Sequence, residues 1–247
     1  MTKRTQAWVS GLVLHTRPYR ETSLLVEAFT ESVGRVSLVY RGAKSTSGKN
    51  NKARLLQPFQ PLTFLWQGDR ELKTGTKVEP SGAGFLLFGT ALYSAMYLNE
   101  LIVRLLLKEE PHPALYQQYL QTLGLLKDVD QDSAQIEILL REFELTLLAE
   151  LGYELVLDTD VNFDVIDADL HYAYDPEVGF NVAFKKIDPA LNKMLFSGEQ
   201  LLAISRQQWQ DAETRKAAKR LLRLALAPHL GDKPLESRQL FRSLTKT

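Results

Sequence analysis

The hydrophobic period of this chain changes once, near residue 85, and that change limits the fold more than any other feature. Before it, apolar residues alternate with a period of two in five β-rich runs: WVSGLVLH (8–15), TSLLVEAFT (22–30), GRVSLVYRG (34–42), LLQPFQPLTFLWQG (55–68) and ELKTGTKVE (71–79). Turn chemistry separates them at Arg17-Pro18, Ser32-Val33-Gly34, the polar stretch Ala43–Ala53 and Gly68-Asp69. Pro58 and Pro61 fall inside the fourth run, which predicts an irregular start or an edge position. Five short strands without a helix of their own predict a small closed barrel. The five-stranded OB-fold, most often a nucleic-acid platform, is the first choice and an SH3-like barrel its rival.

After Phe85 the period becomes helical. Residues 85–110 are apolar nearly all round, which predicts a helix covered on several sides with Leu92, Met96, Leu101 and Leu105 buried and Pro111 and Pro113 ending it. Further helices are predicted over 114–127 and 133–151, the latter stopped by Gly152. Residues 153–195 are irregular and acid-rich, with a hairpin from HYAYD (171–175) and GFNVAFKK (179–186). Ser197 and Gln200 form a capping-box pattern. A helix over 212–226 is stopped by Pro228 and Gly231, and Pro234 opens a last one through Leu244. The expected class is α+β: a barrel domain over 1–80, then a helical domain over 81–247 with a small hairpin insertion at 153–195.

The chain is electrically neutral, but not locally. Residues 1–80 carry thirteen Lys and Arg against six Asp and Glu, whereas 81–160 carry four against thirteen. Such asymmetry concerns partners rather than fold. The first block reads as a polyanion surface, through Arg17, Arg20, Arg35, Arg41, Lys44, Lys49, Lys52 and Arg54. No acid interrupts the stretch from Arg35 to Arg54, and Ser45, Thr46 and Ser47 add hydroxyl donors suited to phosphate. Tyr19, Tyr40 and Trp66 offer faces on which bases stack, although strand aromatics more often serve as core.

Other chemistries find little support. Gly42 to Gly48-Lys49-Asn50 mimics a phosphate-binding loop, but five residues separate the glycines where four are required, and Asn50 replaces the Ser or Thr. Asp158, Asp160, Asn162, Asp164 and Asp169 follow a calcium-loop spacing, yet Phe163 stands where Gly is required, and Asp169 is short for a bidentate Glu. A metal-dependent nuclease built on that run is the enzyme alternative; a protein-only adaptor is the other. The four histidines are scattered and no nucleophile elbow appears, so no reaction can be written and no cofactor is expected. Absence of cysteine excludes disulfides and thiolate zinc sites. No apolar run reaches membrane length and no secretory signal opens the chain, so a cytosolic protein is expected.

Two features of the second half invite an anionic partner. Lys216, Lys219, Arg220 and Arg223 share one face of the 212–226 helix, opposite Ala218, Leu221, Leu222 and Ala225. A solvated face and a docked nucleic acid or acidic peptide both account for them. Arg141 is one of four cations in the acidic block; it either neutralises Glu137 or Glu144 one turn away or clamps a carboxylate.

The stretches VLHTRPYRETSLLVEAFTESVGRVSLVYRGAKS (13–45), LLQPFQPL (55–62), YLNELIVRLL (97–106), REFELTLLAELGY (141–153) and KAAKRLLRLALAPHLGDKPLESRQLFR (216–242) resemble the bacterial RecO recombination mediators, colinearly over nearly the whole chain. The resemblance implies an N-terminal OB-fold followed by a helical domain. It also implies binding of single- and double-stranded DNA, annealing of complementary strands, and loading of RecA with RecR onto DNA coated by single-strand-binding protein, in the bacterial cytoplasm at the nucleoid. Many members carry four zinc-binding cysteines in the region matching 153–195; this chain has none there, so zinc is not expected. The acidic tail of single-strand-binding protein, which ends in an apolar residue with a free carboxylate, is expected on Arg141, Lys216, Lys219, Arg220 and Arg223.

Overall fold

A computed structural model describes residues 7–44, 52–129, 133–183 and 194–239. The chain divides into two compact units: Met1–Gln131 with Pro234–Thr247, and Asp132–Lys233.

Five strands close a barrel in the first unit: β1 (Val9–Tyr19), β2 (Ser23–Thr30), β3 (Gly34–Tyr40), β4 (Pro61–Gln67) and β5 (Leu72–Pro80), in the order β1-β2-β3-β5-β4. β1 closes the ring by using two edges. Its first half pairs with β4, from Val9 opposite Phe64 to Leu12 opposite Pro61, while Gly11–Tyr19 pair with β2. A register shift between Val13 and His15 bends it between these partners. The strand therefore runs through Arg17-Pro18, where sequence placed a turn. Ladder pairing with β2 holds it extended to Tyr19, and Arg20, at φ +54, makes the reversal. β3 and β5 run parallel, Ser37–Val39 beside Leu72–Thr74. This is the expected α+β arrangement with an OB-type barrel, not an SH3-like one. Val13, Val26, Leu38, Tyr40, Leu62 and Phe64 fill the interior. A short helix, α1 (Lys52–Leu55), which the alternation did not announce, precedes the irregular start of the fourth run, and β4 begins at Pro61 as the prolines required.

Helices α2 (Gly89–Leu105) and α3 (Pro113–Asp128) belong to the same unit. They explain why β2 is buried on both faces rather than alternating. Phe29 faces outward and meets Tyr116 and Tyr119 of α3, at ring-centroid distances of 5.3 and 6.1 Å. Asn99 of α2 donates to the Leu14 carbonyl at 2.8 Å and accepts from the Tyr119 hydroxyl. Met96 is exposed, contrary to its expected burial, while Leu101 is buried as anticipated. α2 stops at Leu105, short of the prolines, because the chain after it is captured by β3. Glu109 N donates to Arg35 O, and Arg35 Nε to Leu106 O at 3.1 Å. Pro113 instead opens α3, where its missing N–H has no cost. Residues 236–239 form a helical turn capped by Glu100, which accepts from Glu236 N and Ser237 N. The predicted continuation to Leu244 lies outside the described residues.

The second unit pairs α4 (Ser133–Glu150) with α6 (Ala212–Leu230), beside α5 (Gly198–Ser205) and a sheet of β6 (His171–Asp175), β7 (Gly179–Val182) and β8 (Leu195–Ser197) in the order β7-β6-β8. α4 buries Ile136, Leu139, Phe143 and Leu147; α6 buries Ala218, Leu221, Leu222 and Ala225, the face read from sequence. The Ser197–Gln200 capping box is formed in both directions. α6 runs four residues beyond the predicted stop. Pro228 sits inside its last turn, His229 stacks on Tyr153 at 3.9 Å, and Gly231 at φ +63 ends it. The hairpin is present, but the 184–186 end of its predicted second strand lies outside the described residues. Among the described residues no helix is long and apolar enough to cross a membrane.

Candidate nucleic-acid interface

The β1–β2 turn and the chain leaving β3 meet at one end of the barrel. Pairing of Leu24 with Tyr40 brings them together, and Lys44 N then donates to Thr22 O at 3.0 Å. The Lys44 ammonium lies 3.4 Å from the Arg20 carbonyl, and the Arg20 guanidinium sits 5.4 Å from the Tyr19 ring centroid. Lys52 of α1 reaches over the Tyr40 ring at 5.9 Å. Arg41 leaves β3 at the same end, Arg17 lies two residues inside the hairpin, and Arg54 follows on α1; all three are exposed. No described carboxylate lies within ion-pair distance of Arg17, Arg20, Arg41, Lys44, Lys52 or Arg54. Uncompensated like charges this close repel one another, and an anion relieves that repulsion.

Arg35 stands apart. It opens β3 while Arg41 follows its end, about 20 Å away along the strand. Its guanidinium pairs with Glu27 at 3.1 Å, and Ser37 donates to the other oxygen of that carboxylate. At this far end Lys73, almost fully buried, pairs with Glu109, and Lys108 with Glu71. Hydrogen bonding and attraction from Lys108 hold the Glu71 carboxyl below its ordinary range. Cations therefore serve as structural ties at one end of the barrel and have no described carboxylate partner at the other.

The aromatic residues divide as well. Tyr40 is fully buried over Gly75, where a Cβ would come within 2.4 Å of its ring, and burial drives its phenol far above the usual range. It is core. Trp66 packs partly buried against the same cluster, and Tyr19 is half-buried beside Arg20. Lys49, Ser45, Thr46 and Ser47, with Gly48 and Asn50 of the loop comparison, lie outside the described residues.

In the second unit the basic face of α6 is largely compensated. Lys216 pairs with Glu213 at 2.7 Å and Lys219 with Glu137 of α4 at 2.9 Å. Arg220 lies 4.3 Å from the Phe196 ring centroid and donates to the Leu195 carbonyl. Arg223 is exposed with no described carboxylate beside it. Arg141 is buried and joined to Glu144 at 2.9 Å, the neutralising option of the two read from sequence. The five residues thus do not form a continuous exposed rim.

The acidic run folds around one carboxylate. Asp160, itself buried, accepts from Asn162 N at 2.8 Å and from Asp164 N at 3.1 Å. Phe163 makes the turn that a calcium loop assigns to glycine, at φ +66, a conformation costing a non-glycine residue about 1 kcal/mol. Among the described residues no group of three or more His, Asp or Glu is arranged to hold a metal. The family's zinc does not fit either: the chain has no cysteine, and Tyr172, Tyr174, Phe180 and Phe196 pack the hairpin from within. Sequence reasoning missed the apolar side chains standing exposed around this loop, among them Tyr153, Val156, Phe163 and Val178. Their only signal was hydrophobic residues scattered through an acid-rich stretch.

A five-stranded OB-type barrel whose one end gathers cations with no described carboxylate partner, in one unit with helices and followed by a second unit, defines an α+β protein of the OB-barrel class. Residues 1–83 match the family model of the recombination protein O N-terminal domain, and residues 89–239 that of its C-terminal domain. The chain is similar to the DNA repair protein RecO of Stutzerimonas stutzeri, 43% identical over 96% of this chain and 94% of the relative. It is likewise similar to those of Vibrio parahaemolyticus, 41% over 93% and 90%, and Haemophilus influenzae, 43% over 94% of each. The chain belongs to the RecO family.

Proposed function

We propose that this protein is a DNA repair and recombination mediator that binds single- and double-stranded DNA, anneals complementary strands and, with RecR, helps load RecA in the bacterial cytoplasm at the nucleoid. Residues 1–80 form the DNA-binding domain, and the helical remainder, 81–247, receives protein partners. The observation that carries this reading is the group Arg20, Arg41, Lys44 and Lys52 at one barrel end, none with a described carboxylate partner. Family membership supports it independently.

Annealing follows from screening. Two complementary strands attract through their bases and repel through their phosphates. A surface that neutralises phosphates on both lowers the repulsion, raises encounter frequency and requires no bond to be made or broken. Sequence preference is weak, because the proposed contacts are to phosphates, which carry no sequence information. The acidic tail of single-strand-binding protein docks on the α6 face, where Arg223 has no described carboxylate beside it and Lys219 exchanges Glu137 for the tail.

The test is strand annealing and oligonucleotide binding across a salt series. Replacing Arg20, Arg41 and Lys44 together by Gln removes up to three phosphate contacts and lowers the single-strand log–log salt slope by roughly 2. An unchanged slope in a folded variant overturns the reading. For the tail, Lys219→Glu with Arg223→Glu weakens binding of an acidic tail peptide; unchanged affinity moves that site elsewhere.

A further inference from the structure

The second unit holds a cavity that the DNA reading does not use. It has a volume of about 360 Å³ and opens between the loop over 153–163, the β6–β7 turn and the last turns of α6. That size is at the lower end of ligand-binding cavities and accommodates one or two large side chains. Its floor is apolar and buried, with Leu148, Tyr174, Phe180 and Ala225. Its mouth is apolar and exposed: Tyr153 is 53% accessible, Val156 57%, Val178 63% and Phe163 87%. Four apolar residues standing open around one concavity form a patch of the kind that marks an interaction site.

Phe163 is the most telling of them. It sits in the left-handed backbone region, φ +66, where glycine is at ease and a bulky residue is strained. The Asp160 carboxylate enforces that backbone by accepting from the residues on both sides of Phe163. The fold therefore holds an aromatic ring in water against both hydrophobicity and backbone preference. Strain of this kind persists where the surrounding structure over-determines it, and it concentrates at binding sites.

The charge around the mouth selects the occupant. The lining carries Glu154, Asp160, Asp175 and Glu177, and neither lysine nor arginine. Asp160 and Asp175 are engaged in capping their own loops, since Asp175 accepts from Glu177 N at 2.8 Å. Glu154 and Glu177 are exposed and pair with no described cation. An acidic rim excludes DNA and the acidic tail assigned to α6, and it favours a cation. Tyr153 and Phe163 add ring faces able to receive a guanidinium or ammonium.

We infer that this cavity is the docking site for a basic segment of a partner protein, inserting one large apolar side chain while flanking Lys or Arg residues meet Glu154, Glu177 and the aromatic rim. The site is independent of the barrel's cationic end, so its failure leaves the DNA reading untouched.

The experiment is a selection of random displayed peptides on the full-length chain, with counter-selection on the Glu154→Lys/Glu177→Lys variant, which removes peptides held elsewhere. Recovered peptides are expected to carry at least two Lys or Arg around one Leu, Phe or Trp. When synthesised and labelled, they should bind the wild type at least tenfold more tightly than the charge-reversed chain. Phe163→Gly, which relieves the backbone, should weaken them about fivefold without lowering the melting temperature. Annealing activity should be unchanged in both variants. Recovery of acidic or uncharged peptides, no enrichment over the variant, or equal affinity for wild type and Phe163→Gly overturns the assignment. A concentration-dependent dimer in sedimentation that disappears on charge reversal also overturns it, making a second copy of the chain the occupant.

Discussion

The cationic end of the barrel and the basic face of α6 look alike as residue types and differ in what surrounds them. At the barrel end, Arg20, Arg41 and Lys44 sit on turns, held by backbone bonds such as Lys44 N to Thr22 O, with no described carboxylate in reach. On α6, helical spacing sets Glu213 one turn before Lys216, and packing against α4 brings Glu137 to Lys219. Buried one layer down, Arg141 is matched to Glu144. A cation on a turn remains available to a partner. A cation on a packed helix has neighbours supplied by the helix period and by the facing helix. Local charge surplus thus measures opportunity, and only pairing decides availability.

The contrast breaks most visibly at Arg141. Replacing it by Met removes the guanidinium paired with the buried Glu144 carboxylate, and denaturant unfolding should show a loss of about 3–5 kcal/mol. Replacing both Arg141 and Glu144 by apolar residues should recover most of that loss. Failure to recover would mean that the pair does more than neutralise itself.

A second contrast is alkaline. Burial raises the phenols of Tyr40, Tyr116 and Tyr119 in the first unit, Tyr116 to about 12 and the other two further; in the second unit, Tyr174 is raised to about 12. Their folded values lie above the unfolded value of 10.0, so the stability they contribute is complete below pH 10 and is lost as pH rises through the folded values. Alkali should therefore open the barrel unit before the other, seen as cooperative tyrosinate absorbance with loss of barrel amide protection. At neutral pH, Tyr119→Phe leaves the Asn99 Oδ1 without its donor and should cost about 1–3 kcal/mol in thermal or denaturant unfolding.

Arg35 tests the two ends of the barrel against each other. Arg35→Gln gives up the ion pair with Glu27 and the bond to Leu106 O, and should lower stability by about 1–2 kcal/mol. Its DNA salt slope should stay near that of wild type, unlike that of the barrel-end triple variant; a matching drop would place phosphate at both ends. The smallest effect belongs to the half-exposed pair of Lys219 and Glu137. A double-mutant cycle there should give less than about 1 kcal/mol, declining as salt is added.

Much of this architecture was readable in advance. Period-two alternation and turn residues located all five barrel strands, a stretch apolar nearly all round located α2, and three- and four-residue spacing located α4 and the buried face of α6. Capping chemistry located α5. What could not be read were boundaries determined by distant partners. β1 passes through Arg17-Pro18 because β2 supplies its ladder, and α2 ends at Leu105 because β3 captures the residues after it. Burial of Phe29, exposure of Met96 and the assignment of Arg35 to Glu27 have the same origin, since each depends on residues remote in sequence.

The sequence by itself determined the order of elements, the unequal distribution of charge and the exclusion of thiolate chemistry, because these depend on side-chain type and on neighbours within one turn or one strand. Tertiary structure decided which cations stay unpaired, that Phe163 stands in water over an acidic-rimmed cavity, and that Arg141 lies inside. Those outcomes depend on Coulomb and packing energies that vary with distance through space, and chain separation does not encode that distance.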